Sequence, residues 1–382
     1  MTEPRAELDA RANPGELAAT AVVGGIPLVV RGLRQLARRG WRAARVVVGD
    51  RDDAAQVERA IARYPVSASL AVEIAVGVGP AAPGAPALAL DARAVYRTGD
   101  LPEPGAALAD HRPEPLVRVR SPADAVAAER ALFAQIRKSV DLDGVISYHV
   151  IRPLARVVTR ALLPTRVAPN HVTFGALGCA LVAALLAASG GATAVAAAGV
   201  IYWLGGALDH VDGELARVRL QSSKLGEWLD AMTDELSTYS LLAGLGVGLW
   251  RGGGGGLWLW VGCGGAAIGA LAVARLYVDL HRMGLPIDTA QFPWFFAHPE
   301  RDPVTAPERS RLGTLFYGLS FIVRRDANIT IVVVLLLLGW REVATAAMAA
   351  GALVAAAITT THYAVTAMRS ARTPSRARTR TR

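Results

Sequence analysis

Leu208 to Glu235 reads LDHVDGELARVRLQSSKLGEWLDAMTDE. It lies across the facing ends of two long apolar runs and holds four aspartates, Asp209, Asp212, Asp230 and Asp234. Ionisable side chains inside membrane spans are costly and are functional candidates by default. Asp209 and Asp212 are three residues apart, and Asp230 and Asp234 are four apart. Each pair therefore falls on one face of a helix. The intervening loop, around residues 218–224, makes the two helices antiparallel neighbours, so all four carboxylates are expected to converge near the cytoplasmic face.

Four carboxylates cannot all stay ionised at close range without a counter-charge. One or two hard divalent cations resolve this, and oxygen ligands suit Mg²⁺, Mn²⁺ or Ca²⁺ rather than zinc. Such ions commonly share their coordination with substrate phosphates, and a pair of them can clamp a phosphoryl group for in-line displacement. Gly213 removes a side chain beside Asp212, Ala216 keeps the same face shallow, and Gly226 makes room on the next helix. Arg217 offers a planar fork for phosphate. Salt bridges from Arg217, Arg219 and Lys224 would be the plainer use of these acids, but four paired aspartates and two glycines exceed what bridging needs.

Outward from this stretch the 382-residue chain is 52% hydrophobic and 19% charged. From about Val172 it carries apolar runs of roughly 20 residues, the length a bilayer requires. The pattern predicts six membrane helices, near 172–189, 192–217, 225–250, 257–280, 328–340 and 343–368. A Pro-rich stretch over 285–309 is expected to be a cytoplasmic loop. Cys179 and Cys263 both sit in apolar runs and read as packing residues, not as a disulfide or zinc site. The net charge is +9. Its arginine-rich C-terminal end, residues 369–382, reads as an anchor beside anionic lipid rather than as a nucleic-acid arm. No signal peptide is visible, and an even span count puts both termini in the cytoplasm.

Before the first span the chain reads as soluble protein. Residues 1–20 are polar and Ala-rich and are expected to be disordered. Arg31 to Arg39 reads as an amphipathic helix with Leu33, Leu36 and Ala37 on one face, and Arg45 to Gly49 as a buried strand. A helix over 53–63, short strands over 70–76 and 87–90, a loop over 79–86 and a helix over 123–138 follow. Alternating strands and helices imply a parallel sheet. In residues 143–163, Arg152, Arg156 and Arg160 recur every four residues, the mark of a helix lying in the membrane interface. The expected fold is thus an all-α polytopic membrane domain of six transmembrane helices, preceded by a small cytoplasmic α/β domain and an interfacial amphipathic helix.

The pattern D-x2-D-G-x2-A-R-x8-G-x3-D-x3-D is filled by Asp209, Asp212, Gly213, Ala216, Arg217, Gly226, Asp230 and Asp234. It resembles the signature of the CDP-alcohol phosphotransferases. The likeness runs over roughly 143–368 and includes APNHVT, Ala168 to Thr173, which is similar to the family's TPNxxT entry with Ala in first place. The resemblance implies a polar cavity open to the cytoplasm, a CDP-linked donor, an alcohol acceptor, release of CMP, Mg²⁺ or Mn²⁺ (two ions) and a homodimer. It implies that Asp209, Asp212 and Asp230 hold metal and the CDP diphosphate. Asp234 would help bind metal and accept the proton of the acceptor hydroxyl. Gly213, Ala216, Arg217 and Gly226 would cradle the CDP moiety.

The soluble region resembles the nucleotidyltransferase-like domain found in the branch that contains the di-inositol phosphate phosphate synthases. Gly24 to Leu28, followed by Leu33 and Leu36, is similar to the GKPLI stretch of sugar-phosphate cytidylyltransferases. The Gly-rich AAGxGxR loop is missing, and Ile26 replaces the lysine of GKP. The domain is therefore expected to be degenerate and non-catalytic, and Asp91 is a weak match to a metal-binding aspartate. The expected organisation is 1–20 disordered, 21–122 the degenerate α/β domain, 123–165 linker and interfacial helix, 166–368 the membrane domain and 369–382 the basic tail. Arg275, Arg324 and Arg325 are candidate holders of an acceptor phosphate of inositol phosphate or glycerol phosphate type, and equally candidates for positive-inside charge. A phospholipid synthase using CDP-diacylglycerol and a non-catalytic membrane scaffold stay open beside the leading reading. A cation transporter is disfavoured by the DG-x2-AR context.

Overall fold

The computed structural model describes residues 4–77, 88–106, 113–137, 144–285, 292–294 and 325–372. The chain forms two compact units. The first comprises Met1–Arg137, Thr159–Arg166 and Glu214–Ser222, and the second Lys138–Val158, Val167–Gly213 and Ser223–Arg382.

The first unit is built on β1 (Ala6–Asp9), β2 (Val22–Val23), β3 (Ile26–Pro27), α1 (Leu28–Arg38), β4 (Ala43–Val48), α2 (Arg51–Arg63), β5 (Ala71–Val76), β6 (Leu88–Asp91), β7 (Ala94–Val95), β8 (Val117–Arg118) and α3 (Pro122–Gln135). Strands β5, β4, β1 and β6 form one sheet in that order, and all three pairings are parallel. This is the parallel sheet expected from alternating strands and helices. Leu33 and Leu36 of α1 are buried against it, with Leu8, Val46, Val48 and Leu90. Helix α1 lies so close to β1 that a Cβ on Gly32 would stand 2.6 Å from Leu8 Cδ2. Gly24 and Gly25, both at positive φ, turn β2 into β3, so the stretch likened to GKPLI is a tight hairpin running into α1.

One expectation fails at the start of the chain. Residues 1–20 are not disordered throughout, because Ala6–Asp9 is an inner strand paired on both edges. Its Ala6 and Leu8 are fully buried, while Glu7 and Asp9 alternate outward. The segment is too short and too charged to announce itself, and two neighbouring strands supply the backbone partners that hold it. The loop expected over 79–86 lies outside the described residues.

Strands β1 and β6 end alike, in LDAR, at Leu8–Arg11 and at Leu90–Arg93. Asp9 and Asp91 are register partners. Arg11 donates from Nε and Nη2 to the two Asp9 oxygens, each at 2.8 Å. The Arg93 backbone N–H donates to Asp91 Oδ1 at 2.9 Å, and its guanidinium also pairs with Glu16. The sheet end is thereby closed by charge pairs. The Arg11 hydrogen bond holds the Asp9 carboxyl below its ordinary value.

The second unit is helical. A π-helical turn, Ser147–Ile151, leads into α4 (Arg152–Leu162), followed by α5 (Pro169–Ser189), α6 (Ala192–Val218), α7 (Lys224–Leu249), α8 (Gly256–Arg282), α9 (Arg325–Leu337) and α10 (Arg341–Arg372). The last turns of α4 and α6 fall in the first unit. Four of these helices, α5, α6, α8 and α10, are long and apolar enough to cross a membrane. Helix α7 has 26 residues, but its first half carries Glu227, Asp230, Asp234 and Glu235. Helix α9 spans 13 described residues. Large apolar side chains face outward along these helices, among them Leu185 (74% exposed), Leu271 (72%) and Trp260 (78%), as a lipid-facing surface would have them. Cys179 and Cys263 are free thiols.

The arginines expected to form an interfacial stripe on α4 differ in exposure. Arg152 is buried, Arg156 half-buried and Arg160 exposed. A four-residue repeat overshoots the 3.6-residue turn by about 40° per step and so drifts around the helix.

Helices α5 and α7 pack closely. A Cβ on Gly244 would run into the backbone of Ala184, and one on Gly248 into the carbonyl of Ala187. Gly244 and Gly248 form the small-xxx-small spacing that lets membrane helices meet backbone to backbone. Leu241, Leu242 and Leu245 of α7 then bury with Ala183 and Ala187 of α5, Val332 and Leu336 of α9, and Ala344 and Met348 of α10.

Candidate active site

The α5–α7 contact matters because both helices reach the acidic cluster. Asp209 and Asp212 lie on α6 and Asp230 on α7, and one carboxylate oxygen from each lies within 4.8 Å of the others. Asp212 is buried. The hydroxyl of Thr173, on the first turn of α5, donates to Asp212 Oδ2. Ser223 caps α7, accepting the Gly226 N–H at 3.0 Å. This starts the helix that carries Asp230 and Asp234 one and two turns further on.

The salt-bridge alternative does not hold for the α6 pair. Asp209 and Asp212 form no ion pair among the described residues. Arg219 Nη2 instead donates to the carbonyls of Leu162 and Thr165, each at 2.9 Å. Asp209 Oδ1 is buried without a hydrogen-bond partner, and a buried carboxylate oxygen in that state calls for one. Three converging carboxylates, one of them carrying an orphaned oxygen, are a donor set suited to a hard divalent cation. The residues present fit such an ion.

Asp234 stands outside this three-carboxylate group. With Asp209, Tyr202, Thr233 and Ser237 it lines a narrow cavity of about 10 Å³, room for one water. Gly213 is half-buried. A Cβ on Gly226 would come 3.2 Å from Ser223 Oγ and 3.7 Å from Asn170 Oδ1, so the glycine keeps α7 close to its own cap and to the Pro-Asn turn of α5. The Ala216 carbonyl accepts the Gln221 N–H at 2.7 Å, and the Leu220 N–H reaches Arg217 O at 3.2 Å. These two bonds close α6 as a Schellman motif. Leu220 holds the left-handed position at φ 52°. The Arg217 side chain lines a cavity of the first unit, together with Arg31, Gln35 and Arg38.

Arg275 pairs with Asp279 at 3.4 Å, and its guanidinium lies 5.0 Å from the Tyr363 ring centre. Tyr363 also donates to Asp279 at 2.5 Å. The charge of Arg275 is thus partly answered within the protein. Arg324 and the side chain of Arg325 lie outside the described residues.

Two contributors escaped sequence reasoning. Thr173 belongs to APNHVT, whose closing threonine was the available signal. His210, between the two α6 aspartates, has Nε2 3.2 Å from Ser147 Oγ and Nδ1 3.0 Å from Gly206 O. The Ser147 N–H in turn donates to Asp326 at 3.0 Å.

The described residues thus include four helices long and apolar enough to cross a membrane and a cluster of three carboxylates shared by two helices. The family described as CDP-alcohol phosphatidyltransferase matches residues 166–299. Proteins named "Bifunctional IPC transferase and DIPP synthase" are similar to the chain. The one from Thermococcus kodakarensis is 34% identical over 125 residues, 33% of this chain and 28% of its own length. The one from Rubrobacter xylanophilus is 36% identical over 106 residues, 28% of this chain and 24% of its own. The one from Aquifex aeolicus is 28% identical over 131 residues, 34% of this chain and 29% of its own. The chain matches less than a third of the length of each of these relatives.

Proposed function

We propose that the membrane domain transfers a substituted phosphate group from a CDP-linked donor to the hydroxyl of an alcohol acceptor and releases CMP. The convergence of Asp209, Asp212 and Asp230 inside the stretch that matches this family carries the reading. These three residues would hold Mg²⁺ or Mn²⁺ (two ions when Asp234 contributes) and, through them, the donor diphosphate. When bound, the ions neutralise charge on the phosphates. Gly213, Ala216 and Gly226 leave a shallow surface for the CDP moiety, and Arg217 offers its fork to a phosphate.

Asp234 takes the proton of the acceptor hydroxyl, which is a poor nucleophile until a base accepts that proton. The acceptor oxygen bonds to the donor's β-phosphorus while the bond from that phosphorus to the bridging oxygen breaks. The bridging oxygen leaves on CMP. Thr173 positions Asp212. The names of the relatives favour an acceptor of inositol phosphate type, with glycerol phosphate next. Arg275, Arg324 and Arg325 are offered as holders of its phosphate.

Six spans with both termini cytoplasmic, an interfacial role for α4, and a homodimer complete the proposal. The N-terminal unit is read as a non-catalytic relative of nucleotidyltransferases. The two Asp–Arg pairs at the end of β1 and β6 support this, since they fill the strand ends where a nucleotide would need room.

The test incubates purified protein with Mg²⁺ or Mn²⁺, a panel of CDP-linked donors and candidate alcohols, and measures CMP. Metal-dependent CMP release is expected, with a loss of at least about 100-fold in Asp234→Asn, the range typical of deleting a general base. No CMP from any pair, or undiminished release by that variant, would sink the mechanism.

A further inference from the structure

Gly144, Ser147 and His210 belong to a chain of contacts that no step of the proposed transfer uses. Ser147 opens the π-helical turn ahead of α4 and is 1% exposed. Turns of this kind often mark functional sites. Its backbone N–H donates to Asp326 Oδ2 of α9 at 3.0 Å, and its Oγ lies 3.2 Å from His210 Nε2. One buried serine thus joins α9 to a residue of α6 that lies between Asp209 and Asp212.

The partners leave this serine little freedom. Gly206 O can only accept, so His210 Nδ1, 3.0 Å away, carries a proton. In the neutral ring Nε2 then accepts the Ser147 hydroxyl. Asp326 is buried. Gly144 stands at φ 91°, and a Cβ there would run into the Asp326 carboxylate. Both facts restrict the position to glycine. Three residues beyond Asp326, Ile329 packs on the same turn of α6. Its Cδ1 would lie 3.6 Å from a Cβ on Gly206, and it lines the small cavity with Asp209. Asp326 and Ile329 share a face of α9. Helix α9 therefore meets the turn 206–210 twice, once directly and once through Ser147.

We propose that Ser147 and His210 are positioning residues, which fix the metal-bearing turn of α6 against α9 and so set the placement of the Asp209 and Asp212 carboxylates. Neither residue would touch the ion or the substrate. The proposal rests on the metal site put forward above. Thr173 holds the Asp212 side chain from α5. The Ser147–His210 bond holds, from the α9 side, the backbone that carries both aspartates. A metal site is only as well defined as the groups that hold its ligands.

The experiment uses full-length protein in detergent. Mn²⁺ binding is read from the loss of the free-ion EPR signal, alongside CMP release and the thermal midpoint. Ser147→Ala is expected to weaken Mn²⁺ binding about tenfold, the low end of what is lost when a support of a metal ligand is removed. Glutamine puts its amide where Nε2 stood, and asparagine puts its amide where Nδ1 stood. His210→Gln should therefore bind Mn²⁺ within about twofold of the parent, while His210→Asn weakens it as Ser147→Ala does. In the His210→Asn background, Ser147→Ala should add less than about twofold, because both act through one bond. Gly144→Ala is the harsher variant, and Ser147→Ala keeps the test valid should it not fold. Parent-like Mn²⁺ affinity in Ser147→Ala with a lowered midpoint, equal effects of His210→Gln and His210→Asn, or additive losses in the double variant would each overturn the proposal. Asp212→Asn separates this claim from the metal site itself. It should abolish Mn²⁺ binding, and if it does while Ser147→Ala binds as the parent, the positioning role falls and the metal site stands. Parent-like binding by Asp212→Asn would overturn both.

Discussion

Asp212 reaches its place through a hydroxyl 39 residues away in the chain. Thr173→Val would keep the size of that side chain and remove the donor, leaving a buried carboxylate oxygen short of one bond. The cost is about 1–3 kcal/mol. It is expected as a fall of roughly tenfold or more in CMP release and a raised Mg²⁺ requirement, while Thr173→Ser stays near the parent. A Mg²⁺ titration of CMP release that is unchanged in the valine variant would remove Thr173 from the site. In the N-terminal unit, Arg11 holds the Asp9 carboxyl below its ordinary value of 3.8. A depressed carboxyl contributes stability that is fully present above the unfolded value and is lost as pH falls through the lower folded one. Hydrogen exchange of β1 should therefore quicken as pH drops below about 3.8, after correction for intrinsic rates, and Asp9→Asn should flatten that dependence. Much was legible at this scale. The spacing of the aspartates implied that all four converge, whereas Asp209, Asp212 and Asp230 lie together and Asp234 stands outside the group, because helical periodicity fixes the face of each pair but not where two helices meet. The hydrogen bond from Thr173 was not legible, since it joins two helices across a packing contact. Asp279, four residues beyond Arg275, was a readable clue that this arginine has an internal partner.

Helices α5 and α7 approach so closely that side chains are excluded between them at Gly244 and Gly248. Gly244→Leu or Gly248→Val must separate the two backbones, and overpacking of this kind costs about 1–3 kcal/mol. Because α5 carries Thr173 and α7 carries Asp230, the expected outcome is joint. The thermal midpoint in detergent falls, and the metal requirement for CMP release rises with it. A lowered midpoint with an unchanged Mg²⁺ dependence would show that packing and site are uncoupled. Helix α3 offers a simpler case. Ser121 accepts the Asp124 N–H at 3.3 Å, and Asp124 returns a bond to the Ser121 N–H at 2.9 Å, forming a capping box. Ser121→Ala is expected to cost about 1 kcal/mol, read as a shift in chemical denaturation of the N-terminal unit. Elements were legible where periodicity ran long. Strands β4 and β5 and helices α1, α2 and α3 fall within a few residues of their expected bounds. Strand β1 was missed because four residues with two charges carry almost no pattern, and its stability comes from neighbours on both edges.

At the scale of the whole chain, the membrane character was legible from composition and run length alone. The span count was harder to read, because α7 combines a span's length with the charges of Glu227, Asp230, Asp234 and Glu235. Those acids lower its mean hydropathy without shortening it. If α7 and α9 cross the bilayer along with the four strongly apolar helices, the two ends of the chain lie on one side. Single cysteines placed near residue 5 and near residue 375, in a background with Cys179 and Cys263 replaced, should then react alike with an impermeant maleimide in sealed vesicles. Labelling of only one end would fix an odd number of spans. The same membranes, washed in alkaline carbonate, should retain the protein, and only detergent should release it.

The first unit is assembled from three separate lengths of chain. Arg34 donates to the Arg219 carbonyl at 2.7 Å, and Arg219 donates in turn to carbonyls at Leu162 and Thr165. A ribosome making this protein finishes the sheet early, yet the piece holding Arg219 emerges only after α6 has been synthesised. The first unit therefore cannot close until α6, a helix long and apolar enough to cross a membrane, has been made. If α6 crosses a membrane, its failure to insert would leave this unit unfinished and recognisable to proteases, so inspection of the unit would also report on insertion.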